Sequence, residues 1–208
     1  MRICTLFVLV CLSFSPVLYA QRPSADVLSE ISSWQQHLNK EYKERATSPL
    51  SSEDLIRFKE HDFFPADTSY AIEATLVLNK EQTEIAFKTS NERISVQRKY
   101  GELHFLLRGK ECSLTVYQSP DLMKVPGYED YLFLPFTDPT NGEETYGGGR
   151  YIDLRIPTGN KISVDFNRTY NPYCAYSTKF SCPKVPEEND LKIKVFAGIM
   201  KAKKPVTH

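Results

Sequence analysis

From Tyr70 onward the chain alternates. Ile72, Ala74, Leu76 and Leu78 are spaced by Glu73, Thr75 and Val77, and the period of two returns at Ile85 and Phe87, Ile94 and Val96, Leu103, Phe105 and Leu107, and Cys112, Leu114 and Val116. Successive side chains of an extended chain point to opposite faces, so each run predicts a strand buried on one side. The short gaps, one filled by Gly109-Lys110, predict an antiparallel meander. Further strands are expected at 151–156, 161–167 and 191–197. Before Tyr70 the period is helical: Val27, Ile31, Trp34 and Leu38 recur at four, three and four, predicting an amphipathic helix over about 25–42 with Ser24 as N-cap. Pro49 interrupts, and Ser51-Ser52-Glu53-Asp54 offers a capping box for a short second helix reaching about Lys59. The expected fold is mainly β: eight or nine strands in an antiparallel meander forming a β-sandwich or a barrel-like curled sheet, with one or two N-terminal helices.

The first twenty residues differ in kind. Met1 and Arg2 precede an acid-free apolar stretch, Ile3 to Phe14, which closes at Pro16-Val17-Leu18-Tyr19-Ala20. That is the grammar of a secretory signal peptide, and Ser13, Ser15 and Pro16 break the stretch before it is long enough to anchor in a bilayer. The expected organisation is a signal at 1–20, a helical segment at 21–65 and a β domain at 66–208. The mature protein is expected to be exported, periplasmic or extracellular, without stable membrane insertion.

Charge adds an exclusion. The 208 residues carry 26 Lys and Arg against 26 Asp and Glu, and loss of the leader removes only Arg2. A balanced chain with no long basic run lacks the surplus of positive charge that nucleic acid binding needs. Export also frames the cysteines. Cys112 shares parity with Leu114 and Val116, so it is expected to face the core as a small hydrophobe. Cys174 and Cys182, separated by a short loop in an oxidising compartment, point to a disulfide, with free thiols or a metal site as alternatives. The metal alternative is weak because His37, His61, His104 and His208 stand at no ligand spacing from either cysteine. No cofactor is called for.

Polar chemistry concentrates in 136–190. Gly142, Gly147, Gly148, Gly149 and Gly159 fall within 18 residues, a density that suits tight turns between strands or the close approach of a ligand. If 151–156 and 161–167 form a hairpin with Ile152, Leu154, Ile156, Ile162, Val164 and Phe166 on one face, Asp153 falls opposite Asp165 on the other. Opposed like charges destabilise a strand pair. A salt-bridge cluster with Arg150 and Arg155, a polar ligand pocket and a pair of catalytic carboxylates are the three readings. Serine-nucleophile, zinc-protease and phosphate-loop motifs are missing, and Tyr146-Gly147-Gly148-Gly149-Arg150 runs into a strand, not into the helix a phosphate loop needs. Asn167-Arg168-Thr169 fits a glycosylation sequon.

Three ordered segments resemble a known family. Phe136-Thr137-Asp138-x-Thr140-x-Gly142-x-x-Thr145-Tyr146-x-x-Gly149-Arg150-Tyr151, Val164-Asp165-Phe166-Asn167-Arg168-x-Tyr170-Asn171-Pro172-x-Cys174-Ala175-Tyr176 and Cys182-Pro183-x-x-Pro186-x-x-Asn189-x-Leu191 are similar to the signature of the bacterial domain of unknown function 1684 family. The likeness spans about 136–198 and extends to Asp62-Phe63-Phe64-Pro65, as in shorter exported members from Bacteroidota. Tyr173 stands where many members have a second proline, and Lys184-Val185 replaces a more apolar pair. Ala197-Gly198-Ile199-Met200-Lys201 departs from the common Ala-Gly-Glu-Lys ending, so no role for an acid is carried over there. The resemblance brings no activity, but implies that Thr145, Tyr146, Arg150, Asp165, Asn167, Tyr170, Asn171, Cys174 and Cys182 form one constellation.

Three functions follow as expectations. The first is a binding or accessory module for a polar or anionic small molecule, held by Arg150 and the amides of Gly147–Gly149, with hydrogen bonds from Asn167 and Asn171 and an apolar wall of Tyr146 and Tyr170. The second is a hydrolase with Asp165 as general base and Arg150 stabilising developing charge. The third is a structural clasp without a ligand.

Overall fold

The computed structural model describes residues 24–202 except Glu92; the expected leader at 1–20, with Cys4 and Cys11, lies outside the described residues. Helix α1 (Ser24–Lys43) buries Ile31, Leu38 and Tyr42, extending the predicted apolar seam by one turn. In α2 (Ser52–Arg57) the Ser51 hydroxyl accepts the Asp54 amide at 3.1 Å, which satisfies a backbone donor left free at every helix start.

Seven strands follow: β1 (Ala71–Leu78), β2 (Glu84–Lys88), β3 (Ile94–Leu107), β4 (Lys110–Gln118), β5 (Tyr131–Phe136), β6 (Arg150–Arg155) and β7 (Lys161–Asp165). All pair antiparallel in the order β6-β5-β4-β3-β1-β7, with β2 beside β3. One apolar cluster takes side chains from both ends of that order, Ile152 and Leu154 of β6 with Ile162 and Val164 of β7. A flat sheet holds its outer strands far apart, so the shared core requires the sheet to curl into a nearly closed barrel. Five residues, 156–160, join β6 to β7 and bound the gap between the edges. Phe136 and Phe166 close the core, their rings 5.3 Å apart edge to face.

The strand map corrects the sequence expectation in four places. Ile94–Val96 and Leu103–Leu107 are parts of one strand, β3, whose phase changes at an irregularity between Lys99 and Gly101. Gly101 lies close against β1: a Cβ there meets the Val77 carbonyl oxygen at 2.6 Å. Strand β5 went unpredicted because Leu132, Phe133, Leu134, Pro135 and Phe136 are all buried, leaving no alternation to read. Residues 191–197 form no strand, although Leu191, Val195 and Ala197 are buried. Most consequentially, β6 and β7 do not form a hairpin. Asp153 lies opposite Phe133 and Asp165 opposite Ala71, so the predicted carboxylate pair does not exist. Both strands turn the same parity inward because both line one barrel, and parity alone does not say whether two such strands are hydrogen-bonded.

Candidate functional site

Arg150 opens β6 on the inward parity of Ile152 and Leu154, and its guanidinium is wholly buried. Nη2 donates to Asp138 Oδ2 at 2.7 Å and to the Val195 carbonyl at 2.9 Å; Nη1 donates to the Ala197 carbonyl at 2.6 Å and reaches Thr169 Oγ1 at 3.5 Å. The Phe136 ring lies 5.3 Å from the guanidinium carbon. Asp138 Oδ1 accepts the amides of Thr140 and Val195. One ion pair thus fastens the 137–149 loop, β6 and the C-terminal segment. Arg150 faces no open concavity, so the expected anion-holding role has no geometry here.

The asparagines act as peptide mimics. Asn167 donates to the Asp67 carbonyl at 2.9 Å and accepts its amide at 3.0 Å. Asn189 does the same for Thr115, at 2.8 Å both ways, and also donates to Pro135 O at 2.6 Å. A side-chain amide reproduces the donor and acceptor of a strand neighbour, satisfying backbone groups where no strand runs. Asp165 Oδ1 accepts both Asn167 nitrogens, and Oδ2 faces Arg168 at 3.5 Å, a turn cap and ion pair that leave it no base geometry with Arg150. Thr145 is buried against Thr140 and Asn141, both at 2.8 Å. Gly149, at φ +88°, packs where a Cβ meets Val185 Cγ2 at 2.6 Å and Phe136 O at 2.7 Å. Asn167 is fully buried, which closes the sequon to glycosylation of the folded chain.

One predicted residue, Tyr170, turns to the other face of the sheet. Tyr170 and Tyr131 both donate to Asp153 Oδ1, at 2.5 and 2.7 Å. Asp153 lies at the surface, where the two phenols hold its carboxylate. Tyr146 instead points at Cys174, its hydroxyl 4.0 Å from Sγ. Cys174 and Cys182 are free thiols, correcting the expected disulfide: the Cys174 amide donates to Cys182 Sγ at 3.3 Å, and no bond joins the two sulfurs. The neighbouring Cys182 thiol, with Ser90 and Tyr146 beside it, lowers the Cys174 pKa to about 6, and the same pairing raises that of Cys182. Cys112 packs half-buried against the core as expected.

Asn171 leads to a fourth place. Its Nδ2 donates to the Tyr176 hydroxyl and to Met200 O, both at 3.1 Å, whereas the buried Oδ1 has no partner in the protein. Across the same hydroxyl lies His61, with Nδ1 at 3.5 Å and its buried Nε2 also unpartnered. Tyr42 and Phe58 pack edge-on to the imidazole, ring centroids 4.3 and 4.8 Å away. Burial lowers the His61 pKa to about 4, so the ring is neutral at pH 7. His61 and Tyr176 line a groove of about 760 Å³ with Phe58, Lys179, Met200 and Lys201. Ile199, which follows Ala197-Gly198 where the family ending has an acid, is buried in the adjoining apolar cluster with Tyr42 and Tyr176. Among the described residues no group of three or more His, Cys, Asp or Glu is placed to hold a metal ion, and no helix is long and apolar enough to cross a membrane.

Comparison with protein families matches residues 56–200 to the family described as "Protein of unknown function (DUF1684)". The chain belongs to the DUF1684 family. This DUF1684 chain is also similar in structure to an uncharacterized protein of Haloarcula marismortui solved by NMR in solution, with a TM-score of 0.66 and 31% sequence identity over 85% of this chain and 95% of that one. The shared fold therefore reaches an archaeon. Comparison with curated proteins gives no match.

In this DUF1684 member the constellation implied by the family resemblance is divided four ways. Arg150, Thr145, Asn167 and Asp165 brace loops, Tyr146 joins the cysteines, Tyr170 joins Asp153 and Asn171 joins Tyr176. Sequence reasoning missed His61, Tyr176 and Ser90 as functional candidates. His61 beside Phe63-Phe64-Pro65 was the one signal available, and nothing in the chain order places residue 61 against residue 176.

Proposed function

We propose that this DUF1684 chain is an exported binding or accessory module that takes a small polar molecule in the groove over His61 and Tyr176. The observation that carries the reading is the buried, unpartnered Nε2 of His61, a residue that lines the groove; Asn171 Oδ1, also unpartnered, lies behind the Tyr176 hydroxyl. A buried polar atom without a hydrogen bond costs about 1–3 kcal/mol, and native structures keep few such atoms without a reason. The lining combines the neutral His61, Tyr176 and Phe58 with side chains of both signs, Glu53, Asp54, Glu60 and Asp62 with Arg57, Lys59, Lys179 and Lys201. That lining favours a compact molecule with both donors and acceptors over a bulk anion. In this reading the polar motif of 136–198 is the frame that holds the groove. The export part rests on the leader at 1–20, and a bacterial source rests on the sequence resemblance.

The test is an NMR titration of isotope-labelled protein with one small amide, one polyol, one carboxylate and inorganic phosphate. Shifts gathering at His61, Tyr176, Lys179 and Lys201, and lost in His61→Phe, are expected for at least one of them. Shifts gathering elsewhere, or none at millimolar ligand, overturn the reading.

A further inference from the structure

Cys174 and Cys182 sit in the 170–190 segment, both half-buried and both reached by solvent. Their surroundings are selective. Ser90 fixes Cys182 from two directions, its hydroxyl accepting the Cys182 amide at 3.1 Å and its own amide donating to the Cys182 carbonyl at 2.8 Å. The Cys174 amide meets Cys182 Sγ at 3.3 Å, which sets the two thiols side by side, and the Tyr146 hydroxyl lies 4.0 Å from Cys174 Sγ. These polar neighbours lower the Cys174 pKa and favour its thiolate, the form that acts as nucleophile. A cysteine kept only for packing has no need of them; Cys112, half-buried against the core, has its pKa raised by burial.

We infer that Cys174 and Cys182 form a thiol–disulfide exchange site, with Cys174 as the attacking sulfur, Cys182 as the resolving one and a low-molecular-weight disulfide as the oxidant. The Cys174 thiolate attacks one sulfur of that disulfide, forming a mixed disulfide and releasing the other half as a thiolate. The charge that held the Cys182 proton is then gone, so Cys182 releases it to solvent. Its thiolate displaces the second half from Cys174. Two protein thiols are oxidised to one disulfide, and the small disulfide is reduced to two thiols. The other titratable groups facing the pair are the phenols of Tyr146, Tyr151, Tyr173 and Tyr42. Burial raises all four, so they stay neutral around pH 7 and the thiolate of Cys174 is the group that titrates there.

The experiment equilibrates the full chain in glutathione buffers of stepped redox ratio, quenches with acid and maps the cysteines by mass spectrometry. A monomer lighter by two hydrogens, its cross-link between Cys174 and Cys182, is expected to appear and vanish reversibly with the ratio. Iodoacetamide on the reduced protein is expected to label Cys174 more than tenfold faster than Cys112, with a pH midpoint at least one unit below that of a free cysteine. Tyr146→Phe should move that midpoint upward without changing the cross-link. Equal labelling of Cys174 and Cys112, no cross-link at any ratio, or a cross-link that glutathione cannot reduce in the folded protein each overturns the inference, the last by making the bridge a structural staple.

Discussion

Replacing Arg150 with methionine separates a frame from a site. Methionine keeps most of the apolar volume beside Phe136 but strands the Asp138 carboxylate, which is fully buried with its partner. Removing one member of a buried ion pair costs about 3–5 kcal/mol. The Val195 and Ala197 carbonyls also lose their donors, at roughly 1 kcal/mol each. The sum, about 5–7 kcal/mol, is comparable with the whole stability of many domains, about 5–15 kcal/mol. For a chain of this length it lowers the melting temperature by about 10–25 °C. Urea unfolding followed by tryptophan fluorescence measures it, since Trp34 is the only tryptophan. Adding Asp138→Asn removes the stranded charge and keeps Oδ1 as acceptor for the Thr140 and Val195 amides, so the double variant should recover roughly 2 kcal/mol or more. A single variant within about 1 kcal/mol of the parent, with no gain in the double, refutes the clasp.

Stability should fall as pH drops from 6.5 to about 4. Burial lowers the His61 pKa to about 4, so the unfolded chain takes up the proton first; the contribution is fully present above pH 6.5 and is lost through that window, up to about 3 kcal/mol. His61→Phe should flatten urea midpoints across those pH values, and an unchanged slope counts against a buried neutral imidazole. Asn167→Ala leaves the Asp67 amide unpaired, while its carbonyl keeps only the Tyr70 amide, and should cost about 1–3 kcal/mol, with faster amide exchange at Asp67 as the local readout. Gly198→Ala sets a Cβ 1.9 Å from Thr169 Oγ1 at φ +75° and should destabilise by at least about 2 kcal/mol. At Gly147 nothing lies within 3.7 Å of a new Cβ, so the same substitution should stay within about 0.5 kcal/mol; equal thermal shifts for the two glycines contradict the packing.

Face was legible in the sequence for most of the barrel strands, though not at Leu78, Ile94 and Val96, which are exposed while Gln97 is buried; partner was not. Ile152, Leu154, Ile162 and Val164 point inward as their alternation says, because periodicity reports which side of a strand meets apolar surroundings. Which strand lies alongside depends on barrel curvature, which no local pattern encodes, and so Asp153 and Asp165 were set opposite each other when they lie in different pairings. Strand β5 was invisible for the opposite reason: Pro135 and Phe133 are covered on the outer face as thoroughly as Leu132 and Leu134 on the inner. At the site, residue types were read more reliably than roles. Arg150, Asn167 and Asn171 belong to tight polar networks as their grouping implied, but the same side chains suit a ligand or a loop, and only burial with bonded neighbours distinguishes the two. His61 and Tyr176 lie 115 residues apart in the chain, a separation that spacing rules do not cross.

The pairing of β1 with β7 has a consequence for the order in which this molecule is made. Strand β1 is complete by Leu78, yet its second neighbour ends at Asp165. Until that much chain has emerged, one rim of β1 presents free amides and carbonyls, the template on which strands of other chains add. Contacts this distant in sequence also slow the search for the native state. The N-terminal strands of this barrel therefore wait for the C-terminal third of the chain, and the residues most exposed to misassembly during synthesis are Ala71 to Thr75, where β7 finally docks.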